Sequence, residues 1–267
     1  MNKIKLWISD IDGTLLNYDG STTSELIDVI KKINKTDTKL VLATGRMFMG
    51  ANYQAKKFNL KTPVVCYQGA VVRDENNILW QKLVDNTLAR EVINYLREKK
   101  IHTHIYNDDI LYIEDDNKRI MDLYCNGRGT TYQVLNSFDD MELTSVAKIL
   151  AVIEDKNLME EIKKELKERY KDIFAIVQSS TTYLEITNIN ASKGNALNFL
   201  KKYWNLSDDE VFASGDQDND IDMIKNAKYS ACVGDNSPEL KKEAMYYCKS
   251  VNSNELTDLV KRLILCE

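Results

Sequence analysis

The apolar residues of this chain follow two rhythms. Short continuous runs of strand formers, KLVLA at 39–43, PVVCY at 63–67 and EVFA at 210–213, stop at loops bearing Gly, Thr, Gln or Asp. Between them lie stretches with helical spacing, such as Leu26, Ile27, Ile30 and Ile33, with Thr22 and Glu25 placed as a capping-box pair. Runs of this kind alternating with helices predict parallel strands joined by crossover helices, a doubly wound α/β core. In such a sheet the loops gather at the carboxyl edge, where ligands bind. The first run enters its loop abruptly, in IKLWISDIDGTLL at 4–16, with Asp10 and Asp12 directly after a buried strand.

From about 84 to 184 the rhythm changes. A helix at 87–99 precedes two alternating strands, IHTHIYN and ILYIED, with a tight turn at Asp108–Asp109. AKILAVIE at 147–154 follows, then a charged helix with Leu158, Ile162 and Leu166 on one face, then IFAIVQSS and TYLEIT. Neighbouring strands here can pair as hairpins, which predicts an α+β insertion. The expected division is therefore a core of residues 1–83 and 185–267 and an insertion of 84–184. Pro238 after Ser237 marks a further helix start. Residues 117–142 match no pattern.

Composition narrows the class. Of 267 residues 43% are apolar and 29% charged, ample for one large or two smaller soluble domains. The net charge of −5 argues against a nucleic-acid partner, although local cations or a metal ion can still make a pocket attractive to a small anion. Cys66, Cys125, Cys232, Cys248 and Cys266 form no Cys-x-x-Cys pair and read as reduced thiols. With no signal peptide and no apolar run long enough to span a bilayer, the expectation is a cytoplasmic protein without a membrane partner. The oligomeric state is left open.

Four polar clusters carry candidate chemistry. Asp10 and Asp12, two apart in extended backbone, can point the same way; their mutual repulsion calls for a cation, and hard carboxylate oxygens suit Mg²⁺. A turn that merely contains Asp and Gly is the plainer reading. In ATGR at 43–46, Thr44 offers a hydroxyl, and the amides from Gly45 onward open a helix, a natural anion site. In NASKGNAL, Ser192 is placed to cap a helix whose first turn holds Lys193, a position that opposes the helix dipole unless an anion shares it. In SGDQDNDIDMI at 214–224, Asp218 and Asp222 fit an ordinary acidic helix start, whereas Asp216 at the strand end does not.

Taken together and in this order, DIDGTLL, ATGR, SKGNAL and GDQDND resemble the haloacid dehalogenase superfamily, and within it the Cof-type phosphatases, with an α+β cap inserted between the second and third motifs. The resemblance runs through essentially the whole chain, with YLEIT ahead of the lysine helix. One departure is QGA at 68–70, where relatives commonly carry NGA. The resemblance implies a Rossmann-like core with a cap that roofs the site and chooses the leaving group.

It also implies roles. Asp10 would be the nucleophile that forms an aspartyl-phosphate, and Asp12 the general acid and then base. Mg²⁺ would be held by the Asp10 carboxylate, the Asp12 carbonyl and Asp216, with Asp220 supporting that shell. Thr44, Gly45, Lys193 and Asn219 would bind phosphate. The expected substrate is a small phosphorylated metabolite, sugar phosphates first. A phosphomutase and a non-catalytic Mg²⁺-binding phospho-sensor are the alternatives. His102 and His104 share a strand face and could reach substrate, although an ordinary cap-sheet position is the favoured reading; a His-x-His metal site has no third ligand in view.

Overall fold

The computed structural model describes residues 4–125 and 130–267. The chain opens with β1 (Leu6–Ser9), α1 (Ser24–Ile33), β2 (Lys39–Leu42), α2 (Phe48–Lys57) and β3 (Val64–Cys66). A turn then leads back into β4 (Val71–Arg73) and β5 (Ile78–Gln81). Next come α3 (Asn86–Glu98), β6 (His102–Asn107), β7 (Ile110–Ile113), α4 (Lys118–Cys125), β8 (Tyr132–Val134), β9 (Val146–Val152), α5 (Lys156–Arg169), β10 (Phe174–Gln178) and β11 (Tyr183–Asn188). The chain ends with α6 (Lys193–Tyr203), β12 (Val211–Gly215), α7 (Ile221–Lys225), β13 (Tyr229–Val233), α8 (Pro238–Glu243), β14 (Tyr246–Cys248) and α9 (Glu255–Val260).

One compact unit comprises Met1–Trp80 and Ser192–Glu267. Its main sheet runs β14-β13-β12-β1-β2, and every pair is parallel. The strands read as continuous apolar runs because both faces are covered; Leu6, Trp7 and Ile8 are fully buried. β1 lies between β2 and β12, so the chain winds outward from it in one direction first and returns on its other side later. The carboxyl end of β1 is thus the topological switch point, the usual ligand crevice of such sheets. β3 touches this sheet through a single parallel bridge, Ala43 to Val65, and then folds back antiparallel onto β4.

α1 buries Leu26, Val29, Ile30 and Ile33, each contributing about 1.5–3 kcal/mol of burial. Its cap is Thr23, whose hydroxyl accepts from the Leu26 amide. Thr22, the residue the pattern favoured, instead donates to the Leu15 carbonyl, tying the loop after β1 to the helix start.

The second unit, Gln81–Ala191, holds a six-stranded sheet ordered β10-β11-β9-β6-β7-β8. All of its pairs are antiparallel except β7 with β8. α3 and α5 lay Val92, Leu96, Ile162 and Leu166 in a common apolar cluster with Ile105, Ile149 and Ile186. Asp108 and Asp109, both at positive φ (50° and 62°), turn β6 into β7 with the hand a two-residue hairpin needs. β11 pairs with both β9 and β10, so residues 185–188, assigned to the core from sequence, belong to this sheet. The patternless 117–142 stretch holds α4 and β8, with 126–129 outside the described residues. Among the described residues no helix is long and apolar enough to cross a membrane.

Candidate active site

The parallel register places Asp10 and Asp216 just beyond the ends of adjacent strands, β1 and β12. The Asp10 amide donates to the Ser214 carbonyl at 2.9 Å, which anchors the first loop to the neighbouring strand. Lys193 is the first residue of α6, which Ser192 caps by accepting from the Asn195 amide. Its side chain is buried, and Nζ donates to Asp10 Oδ1 at 2.5 Å and to Asp220 Oδ1 at 2.6 Å. Asp220 also uses Oδ2, which accepts from the amides of Asp216 and Gln217 at 3.0 and 3.1 Å. That pair of bonds fixes the turn that presents Asp216. Gly215 leaves the room, since a Cβ there would lie 2.4 Å from the Asp220 Cβ.

Asp10, Asp216 and Asp220 are all buried, and a carboxylate oxygen from each lies within 4.8 Å of the others. Lys193 pairs with two of these three carboxylates, Asp10 and Asp220. Burial raises the Asp10 carboxyl well above its usual range, with Asp220 and Asp216 adding to it and Lys193 opposing. Burial and then Asp220 raise Asp216 likewise. Burial alone would lower Lys193, but Asp10 and Asp220 hold it above the ordinary lysine value, so it is a fixed cation. The surplus of buried negative charge, carried on converging hard oxygens, suits a divalent cation such as Mg²⁺.

Asp12 belongs to a second cluster. Arg46 forks onto it, Nε to Oδ2 at 2.8 Å and Nη2 to Oδ1 at 2.5 Å, fixing the plane of the carboxylate. The Arg46 amide donates to the Thr44 hydroxyl oxygen at 3.2 Å, leaving that hydroxyl a proton to give. Asn219 donates its Nδ2 to Gln68 Oε1 at 2.7 Å. Gln68 adopts the left-handed region (φ 59°) and its amide group stands where a Cβ on Gly45 would fall, 2.5 Å from Nε2.

The acids with plainer readings have structural work. Asp222 Oδ2 accepts from Ser192 Oγ at 2.6 Å, buttressing the cap of the lysine helix, and Asp218 accepts from Ser237. Sequence reasoning gave no role to Arg46, Gln68, Thr14, Tyr18 or Asn236. Arg46 stood inside a quoted motif, so its charge beside Thr44 was a usable signal; Asn236 carried none.

The sequence profile of the haloacid dehalogenase-like hydrolases matches residues 7–258. The chain belongs to that family. A Streptococcus pyogenes protein with a provisional phosphatase name is 26% identical, over 98% of this chain and 99% of its own. The 5-amino-6-(5-phospho-D-ribitylamino)uracil phosphatase YwtE of Bacillus subtilis is 24% identical, over 96% of each chain. A haloacid dehalogenase-like hydrolase of Bacteroides thetaiotaomicron superposes with a TM-score of 0.90 at 22% identity, over 98% of this chain and all of that one. The superfamily read from four motifs, of the Cof type, therefore holds, and with it the expectation of an enzyme, a phosphatase.

Proposed function

We propose that this haloacid dehalogenase-superfamily phosphatase is Mg²⁺-dependent and hydrolyses small phosphorylated metabolites, sugar phosphates first, through an aspartyl-phosphate on Asp10. One observation carries the reading: three buried carboxylates and one buried lysine converge at the switch point of the parallel sheet. Asp10 attacks phosphorus while Asp12 gives its proton to the leaving alkoxide. Asp12 then takes a proton from the water that attacks the phosphoaspartate, releasing phosphate and restoring Asp10. Arg46 holds Asp12 in one orientation for both transfers.

Lys193, Thr44, the Gly45 amide and Asn219 take the phosphate oxygens, supplying the fixed charges and donors on which phosphoryl transfer depends. Asp10, Asp216 and the Asp12 carbonyl are the groups to hold Mg²⁺, with Asp220 fixing the Asp216 turn. Bound there, the ion neutralises charge on the transferring group. A cytoplasmic setting fits this substrate class. The phosphorylated ribitylamino compound named for the Bacillus subtilis relative is of the same broad class.

The test is a panel of phosphorylated metabolites, with free phosphate as the readout. Chelator-sensitive release from sugar phosphates or kindred small monoesters is expected. Interconversion of isomers without phosphate release would favour a mutase instead. Binding of Mg²⁺ without turnover of any ester would favour the phospho-sensor.

A further inference from the structure

The two oxygens of Asp216 are not equivalent. Oδ1 accepts one bond, from Thr14 Oγ1 at 3.0 Å. Oδ2 accepts two, from the Tyr18 hydroxyl at 2.8 Å and Asn236 Nδ2 at 3.1 Å. A carboxylate oxygen has two lone pairs in its plane, so Oδ2 is saturated by protein donors and Oδ1 keeps one pair for a ligand.

Tyr18 is built into this arrangement. Gln217 Nε2 donates to its hydroxyl oxygen at 2.6 Å, which leaves the phenol proton for Asp216. The residue is 65% exposed, so burial of the ring does not explain where it sits; the hydroxyl contacts do. Gly13 makes the space. Its φ of +91° favours glycine, and a Cβ there would lie 2.2 Å from Asp216 Oδ2 and 2.9 Å from the Tyr18 hydroxyl oxygen. Three separated segments thus meet on one oxygen.

We propose that Tyr18 is a positioning residue that confines Asp216 to one-oxygen coordination and so favours Mg²⁺ over Ca²⁺ in this site. This rests on the Mg²⁺-dependent function proposed for the site. Mg²⁺ takes six ligands in a tight octahedron and needs a single oxygen from a carboxylate, whereas Ca²⁺ takes up to eight and gains from bidentate carboxylates. Occupying Oδ2 therefore removes a ligand from Ca²⁺ and none from Mg²⁺.

The test is calorimetric titration of the metal-free full chain with MgCl₂ and, separately, CaCl₂, for the native protein, Tyr18→Phe and Asn236→Ala. In Tyr18→Phe the Ca²⁺ affinity should rise relative to that of Mg²⁺ by about tenfold or more, the scale of one hydrogen bond to a charged group removed. Asn236→Ala frees the same oxygen and should move the ratio in the same direction. An unchanged ratio in two variants that still bind Mg²⁺ overturns the role of Tyr18 and leaves the Mg²⁺ reading standing. If the native protein binds neither ion, the Mg²⁺ reading itself fails and takes this proposal with it. A residue that only braces its loop would alter thermal stability without moving the cation ratio.

Discussion

Each unit of this chain buries charge, and the two do so differently. In the inserted unit, Lys148 and Glu185 are both buried and face each other at 3.4 Å, one cation to one anion. Glu185 accepts a further bond from Ser179 at 2.8 Å, and Lys148 lies over the Tyr106 ring at 4.8 Å. Beside them His102 and His104 meet through their Nε2 atoms at 3.1 Å, and burial first, then His102 and Lys148, push His104 down to about 3. That imidazole is neutral at physiological pH, and the array is locally compensated. In the core, Asp10, Asp216 and Asp220 converge, and among the described residues Lys193 is the cation paired with that cluster, through Asp10 and Asp220. Burying unbalanced charge is costly, and a fold keeps such an arrangement where a ligand or a reaction supplies the compensation. The compensated cluster is accounted for by packing; the uncompensated one is where we propose the chemistry.

The contrast can be broken at several points. The largest effect is expected from Asp10→Asn, which should lower turnover of the best substrate by at least about a thousandfold while circular dichroism stays native. Residual kcat within tenfold of native, in a sample free of the native enzyme, would remove Asp10 from the role of nucleophile.

Next in size is a pair of substitutions read by thermal and denaturant unfolding. Lys148→Met strands Glu185 and should cost about 3–5 kcal/mol, which Mg²⁺ does not restore. Lys193→Met strands Asp10 and Asp220; its loss should be of similar order without metal and should shrink on adding Mg²⁺. Equal responses of the two variants to Mg²⁺ would erase the distinction between the clusters.

Arg46→Ala should lower kcat by about ten- to a hundredfold by releasing Asp12, with little change in unfolding midpoint. An unaltered kcat would mean the fork is only a surface tie.

The smallest effect concerns pH. His104 is held far below the ordinary imidazole value of 6.5, so between about 6.5 and about 3 the unfolded chain binds a proton that the folded chain does not. The stability this group contributes is complete above 6.5 and is lost as pH falls, by about 1.4 kcal/mol per pH unit. His104→Gln should flatten that slope in chemical denaturation between pH 6.5 and 5. An unchanged slope would place the acid sensitivity elsewhere.

Much of this was legible in the chain itself. The apolar runs announced the parallel strands because strands buried on both faces cannot alternate, and the motif residues followed because strand ends in such a sheet share one edge. Asp10, Lys193, Asp216 and Asp220 were named from sequence, and the fold brings them into direct contact or near it. Arg46, Tyr18 and Asn236 were not, because their importance lies in partners 34, 198 and 20 residues away, a separation no local pattern reports. The edge of the inserted unit was only partly legible: TYLEIT reads as its closing strand, but a boundary at 184 cuts that strand, whose pairing with β10 runs on to Asn188. The Thr22 cap failed for a smaller reason. Thr22 and Thr23 are equivalent in composition, and the Leu15 carbonyl decided between them.

The most direct test of the uncompensated cluster is a calorimetric titration of the metal-free native chain with Mg²⁺, run beside Asp216→Asn. A cation site built on Asp10 and Asp216 predicts one Mg²⁺ per chain at sub-millimolar to millimolar affinity, and a loss of at least about tenfold in the variant, which removes a charged ligand. Saturable binding that Asp216→Asn leaves untouched, or no binding to the native chain in the millimolar range, would contradict it.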